Sequence, residues 1–116
     1  MNHPIIFSGI QTHPFAVPTP VVGPLSLSTT EATYHDSEAP DGLSAGVWVC
    51  SPGIWRRQMM RREFSRFVVG HCFFTPDNGT TIEIRAGDVV LFPEKCMGTW
   101  DVRRTVRKSF VILQTS

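Results

Sequence analysis

The stretch REFSRFVVGHCFFTPDNGTTIEIRAGDVVLF, residues 62–92, decides the fold. Its apolar side chains come in short runs rich in β-branched and aromatic residues, Arg62–Val69, Cys72–Thr75, Thr80–Arg85 and Asp88–Phe92. Between them stand turn formers: Gly70, Asp77-Asn78-Gly79 and Ala86-Gly87-Asp88. Asp77-Asn78-Gly79 is the strongest hairpin signal, because Asn and Gly tolerate the positive φ that a tight hairpin requires.

The same grammar extends outward in both directions. Leu43–Ser51 and Ile54–Met60 precede the stretch with Pro52-Gly53 between them, and Thr99–Arg103 and Val106–Leu113 follow it beyond Pro93. About eight short strands with few helical windows predict an all-β antiparallel sandwich, barrel or jelly roll, in which closure removes aggregation-prone edges. Upstream, residues 1–42 read as an extended arm carrying one or two edge strands. Pro18 and Pro20 favour polyproline or edge geometry, and Ser26 to Thr30 form a short β-prone patch. The arm is expected to pack on the barrel or on a partner, and residues 43–116 form the domain proper.

Composition narrows the function classes. At 116 residues, with 41% apolar and 18% charged side chains, the chain is one globular domain rather than two domains or a disordered segment. All 11 basic residues lie at or after Arg56, whereas Glu31, Asp36, Glu38 and Asp41 precede it. Such a split suits an acidic arm lying against the basic half of its own chain or of a partner. Pro4, Pro14, Pro18, Pro20 and Pro24 interrupt the uncharged first 30 residues too often for a membrane helix. The doublets Arg56-Arg57, Arg61-Arg62, Arg103-Arg104 and Arg107-Lys108 invite a nucleic-acid reading. On strands, however, each doublet splits between two faces, and a pI near 7.8 is below the range of such domains. Neither a membrane nor a nucleic acid is an expected partner. Cys50, Cys72 and Cys96 are odd in number and form no C-x-x-C pair, which fits a reducing cytoplasm and buried thiols.

Gly46-Val47-Trp48, Pro52-Gly53, Glu63-Phe64, Gly70, Gly79, Gly87-Asp88, Pro93, Gly98-Thr99-Trp100 and Lys108 together resemble a cupin domain. The resemblance is nearest to the ureidoglycine-aminohydrolase-like subgroup. It implies an RmlC-like jelly roll, a conical antiparallel β-barrel, over Gly46 to about Ile112. In that frame Gly53 and Gly87 serve turns that favour positive φ, and Pro93 ends a strand by withholding a donor.

The same resemblance sets an expectation about metal. The family pattern has His-x-His, three or four residues, Glu, six residues and Gly; here Glu63 and Gly70 hold the second half. With a three-residue spacer Arg57 and Met59 stand at the histidine positions, and with a four-residue spacer Arg56 and Gln58 do. In the second family motif Gly87 and Pro93 fit, but Lys95, Gly98 and Val102 depart, Gly98 taking the place of the third histidine. One carboxylate does not supply the three or four donors a transition metal needs, so no metal and no cofactor are expected. An improvised site from His71, Cys72 and Cys96 fails because His71 and Cys72 point to opposite faces of a strand.

The pocket expectations follow from the positions that point inward. If Arg57, Met59 and Glu63 point inward, as the resemblance implies, they place a cation, a soft apolar group and an anion on one wall. In one reading Arg57 binds a ligand carboxylate through its planar fork and Glu63 acts as acid or base; in the other the two neutralise each other as a buried pair. Trp48, Trp55 and Trp100 offer a flat ligand wall or simply core. The resemblance favours Lys108 as inward-facing, an anion anchor or a base according to its distance from Glu63. The candidate catalytic residues are thus Glu63 and Lys108, and the candidate ligand-binding residues are Trp48, Trp55, Arg57, Met59 and Trp100.

Three functions remain open. The first is a small cupin that binds a carboxylated or nitrogen-containing metabolite without the usual metal. The second is a non-catalytic dimeric binding or regulatory module with a filled barrel. The third is a metal-dependent ureide or amine hydrolase. Val106–Leu113 has apolar side chains on both faces, which need cover from the arm or from a second copy, so a homodimer is expected.

Overall fold

The computed structural model describes residues 6–12, 15, 17–21, 30–35 and 43–113, which form strands and turns without helix. The strands are β1 Thr19–Pro20, β2 Thr30–His35, β3 Leu43–Cys50, β4 Gly53–Met59, β5 Arg62–Pro76, β6 Ile82–Arg85, β7 Val89–Phe92 and β8 Cys96–Leu113. All pairings are antiparallel. This is the all-β jelly-roll class expected. Of the β-prone patch at 26–30, only Thr30 falls within the described residues.

Two expected boundaries are absent. Arg62–Val69 and Cys72–Thr75 are one strand, β5, and Thr99–Arg103 and Val106–Leu113 are one strand, β8. Gly70 makes no turn; it sits in a bulged segment of β5, where the register against β8 shifts between Phe67 and Cys72. The bulge also changes which parity faces inward. Ser65 and Phe67 are buried before it, and Cys72 and Phe74 after it.

The bend lets β5 and β8 serve both halves of the barrel. The start of β8 pairs with β4 and with the end of β5, whereas its latter half pairs with β3 and with the start of β5. The halves meet face to face through Phe74 and Phe92, 5.4 Å apart, and through Trp48 and Trp55, 6.0 Å apart. Asp77-Asn78-Gly79 closes the β5–β6 hairpin, with the Gly79 amide donating to the Pro76 carbonyl at 3.1 Å. Gly87 has a φ of +98° in the turn before β7, as its place in the sequence suggested. β2 adds to the outer edge of β3 and carries Glu31 and Thr33 to the barrel mouth. Among the described residues no helix is long and apolar enough to cross a membrane.

Candidate functional site

Alternation along four strands aims one set of side chains at a common interior. β3 supplies Trp48, β4 supplies Trp55, Arg57 and Met59, β5 supplies Glu63, and β8 supplies Trp100, Lys108, Phe110 and Ile112. They line a cavity of about 170 Å³, with Glu31 and Thr33 of β2 at its mouth. All seven residues singled out in the sequence therefore converge. The inward trio Trp55, Arg57 and Met59 selects the three-residue spacer, since Arg56 points out and pairs with Asp77 at 2.6 Å.

The charges are partnered differently from either expectation for Arg57 and Glu63. Arg57 grips Glu31 with both ends of its fork, at 2.6 and 3.1 Å, and lies over the Trp55 ring at 4.5 Å. The Trp48 indole N–H donates to the same carboxylate at 2.9 Å. Burial works to raise the Glu31 carboxyl, but the Arg57 and Trp48 hydrogen bonds and nearby cations outweigh it and hold its pKa below the usual value. Glu63 instead meets Lys108, Nζ to Oε2 at 2.5 Å, and accepts a hydrogen bond from the fully buried Ser65 hydroxyl at 2.5 Å. Both side chains of this second pair are nearly sealed from water, at 7% exposure for Lys108 and 10% for Glu63.

Lys108 is also surrounded by rings. Its Nζ lies 4.8 Å from the centre of Trp48, 5.4 Å from those of Phe92 and Trp100, and 5.6 Å from that of Phe67. Burial depresses its pKa, and the attraction of Glu63 offsets this only in part. Of the two readings offered for the tryptophans, a flat wall or core, they do not make a flat wall. Trp55 and Trp100 are nearly parallel at 22°, whereas Trp48 stands at 61° to Trp55, so the three pack as a cluster and present edges as well as faces to the cavity. Among the described residues the buried indole N–H groups of Trp55 and Trp100 meet no hydrogen-bond partner.

Glu31, Thr33, Phe110 and Ile112 are site residues the sequence reading missed. The acidic arm set against a basic half was the signal for Glu31, and the period-two face shared with Lys108 was the signal for Phe110 and Ile112. The thiols behave as structural groups: burial pushes Cys50 and Cys72 up to about 12. Burial and the nearby Asp77 raise the Cys96 pKa as well. His71 points away from Cys72 and meets Glu83 at 2.8 Å.

The comparisons with known proteins bear on the family and the fold. The EutQ-like cupin domain pattern matches residues 38–110. The chain belongs to the EutQ-like cupin family. Among solved structures, the cupin is similar to the EutQ protein of Clostridium difficile, with 16% identity over 75% of this chain and 70% of that one and a TM-score of 0.68. A putative ethanolamine utilization protein Q from Salmonella typhimurium LT2 is likewise 16% identical, over 76% and 71%, with a TM-score of 0.64. A DUF861-family protein of unknown function from Pseudomonas syringae pv. tomato is 21% identical, with a TM-score of 0.67; 84% of this chain matches 44% of that one. These likenesses concern the fold. No curated protein matches the chain.

The side chains of this cupin do not fit the metal site that the His-x-His cupin pattern implies. Arg57 stands at one histidine position with its fork bound to Glu31, and Met59 stands at the other. At the third, Gly98, an added Cβ would lie 2.5 Å from both the Phe74 ring and the Thr75 carbonyl oxygen. Among the described residues no three His, Cys, Asp or Glu side chains cluster to hold an ion. Elemental mass spectrometry of the purified, untagged protein should therefore find manganese, iron, nickel and zinc all far below one per chain. A stoichiometric signal would overturn this assignment.

Proposed function

We propose that this chain is a metal-independent binding protein for a small, neutral, nitrogen-containing metabolite of the amide or ureide class. The observation that carries the reading is a small aromatic cavity whose two cations are each already matched by a carboxylate. An anionic ligand would have to displace Glu31 from Arg57 or Glu63 from Lys108, leaving a carboxylate buried and unpaired. A neutral amide escapes that cost, because its N–H groups donate to the carboxylates while its carbonyl accepts from the cations. This favours the nitrogen-containing ligand over the carboxylated one, and it accords with the resemblance to the ureidoglycine-aminohydrolase-like subgroup. The volume matches that of roughly five or six water molecules, so the ligand is small.

Tryptophan fluorescence tests the reading, since all three tryptophans line the cavity. Titration with methylurea, acetamide and propionamide should give a saturable change that acetate, at equal concentration, does not. Silence across the neutral series would refute it.

We also propose that the chain is a homodimer. Ala45, Val111, Phe64 and Leu91 lie side by side across four strands, with Phe64 and Leu91 exposed. Arg62 and Glu94 flank the apolar groove beside them and supply both signs of charge, as a self-complementary two-fold contact requires. Sedimentation should give twice the 13.0 kDa chain mass, and Leu91→Glu should shift it to the monomer. An unchanged mass for that variant would place the contact elsewhere.

A further inference from the structure

We infer that Lys108 is an amine nucleophile that captures a short neutral aldehyde in the barrel cavity as an imine, with Glu63 moving the protons. The inference rests on the proposed ligand cavity and adds a covalent step within it. Three features carry it. Lys108 lines the cavity yet its side chain is only 7% exposed; its Nζ is 2.5 Å from a carboxylate oxygen of Glu63; and aromatic rings surround it. Burial in such surroundings depresses the Lys108 pKa, so its free amine is reached more readily than that of an exposed lysine. A desolvated lysine among apolar groups is the form in which this side chain attacks carbonyl carbon.

The protons and electrons balance without another reagent. The Lys108 ammonium passes a proton to Glu63 Oε2, and the freed nitrogen pair forms a C–N bond to the aldehyde carbon while the C=O π pair moves onto oxygen. Glu63 returns its proton to that oxygen, giving a carbinolamine. It then takes a second proton from nitrogen and delivers it to the hydroxyl, which leaves as water as the nitrogen pair closes the C=N bond. The product is a protonated imine facing the Glu63 carboxylate, so the pair keeps its net charge. The site is neutral overall and small, which selects an uncharged aldehyde of a few heavy atoms.

The chain provides its own control, because Lys95 is its only other lysine and is exposed. The full-length protein is treated at neutral pH with limiting propionaldehyde and cyanoborohydride, and the propyl adducts are located by peptide mass mapping. Lys108 should be labelled at least about tenfold faster than Lys95, as expected for an activated amine against an ordinary one. Labelling confined to Lys95 and the chain's amino terminus would overturn the inference. Propionamide, the same shape but unable to form an imine, separates the two claims. If it changes the tryptophan fluorescence while Lys108 stays unlabelled, the cavity reading stands and the nucleophile falls. If neither responds, both fall.

Discussion

Replacing Lys108 with Met should destabilise the fold by about 3–5 kcal/mol, whereas adding Glu63→Gln to that variant should recover most of the loss. The single change leaves the Glu63 carboxylate 10% exposed, with the Ser65 hydroxyl as its remaining close donor. The double change removes both charges. The side-chain amide introduced by Glu63→Gln still accepts from Ser65, and the thioether keeps its contacts with the rings that now surround Nζ. Urea unfolding of the two single variants and the double variant forms a closed cycle, and a coupling of about 2–3 kcal/mol is expected between groups in direct contact. Additive losses would show that Lys108 and Glu63 do not share a buried site. That result would remove the physical basis for both the neutral-ligand reading and the nucleophile.

The two ion pairs differ in kind. Arg57–Glu31 lies at the mouth, with the Arg57 side chain one-third exposed, and joins the barrel to β2. Lys108–Glu63 lies in the interior and joins β8 to β5. A partly solvated pair of the first kind adds little to stability, so its role is positional: it sets β2 across the cavity and gives the Trp48 N–H an acceptor. The interior pair costs desolvation in an otherwise apolar barrel. That makes its presence informative, since a hydrophobic pair of similar volume would fold as well or better.

Much of this arrangement was legible in the sequence, because strand alternation is a local property. Knowing that Trp55, Arg57 and Met59 share a face needs only a period of two, and so does grouping Lys108 with Phe110 and Ile112. Which cation meets which carboxylate is not local. Glu31 reaches Arg57 because β2 pairs with β3 in a register that places Glu31 opposite Cys50, and no spacing between residues 31 and 57 encodes that register. The metal-ligand departures were legible residue by residue, but the absence of room at Gly98 was not, because the ring that fills it comes from Phe74 on the neighbouring strand. Gly70 was misread for a different reason. A glycine between two apolar runs has the same local signature whether the chain turns back or bends and continues.

The bend at Gly70 yields the second large effect. Gly70 and Gly87 have nearly the same φ, +97° and +98°, but different neighbours. A Cβ at Gly70 would lie 2.2 Å from the Thr105 carbonyl oxygen and 2.7 Å from Val106 Cα, both backbone atoms of β8, whereas at Gly87 nothing lies within 4 Å. Gly87→Ala therefore carries only the strain of a side chain at positive φ, about 1–3 kcal/mol. Gly70→Ala carries that strain and must also push β5 away from β8 at the corner both halves of the barrel share. Overpacking typically adds another 1–3 kcal/mol or so, giving roughly 2–6 kcal/mol in all. The difference between the two variants in urea unfolding isolates the contact from the strain. Because Val106 lies two residues before Lys108 on β8, displacement at the corner should also disturb the cavity, so a Gly70→Ala protein that still folds should show altered tryptophan emission while Gly87→Ala does not. Equal losses for the two alanines would mean that β5 and β8 are not in close contact at the bulge, and that the parity change carrying Cys72 and Phe74 into the core arises elsewhere along β5.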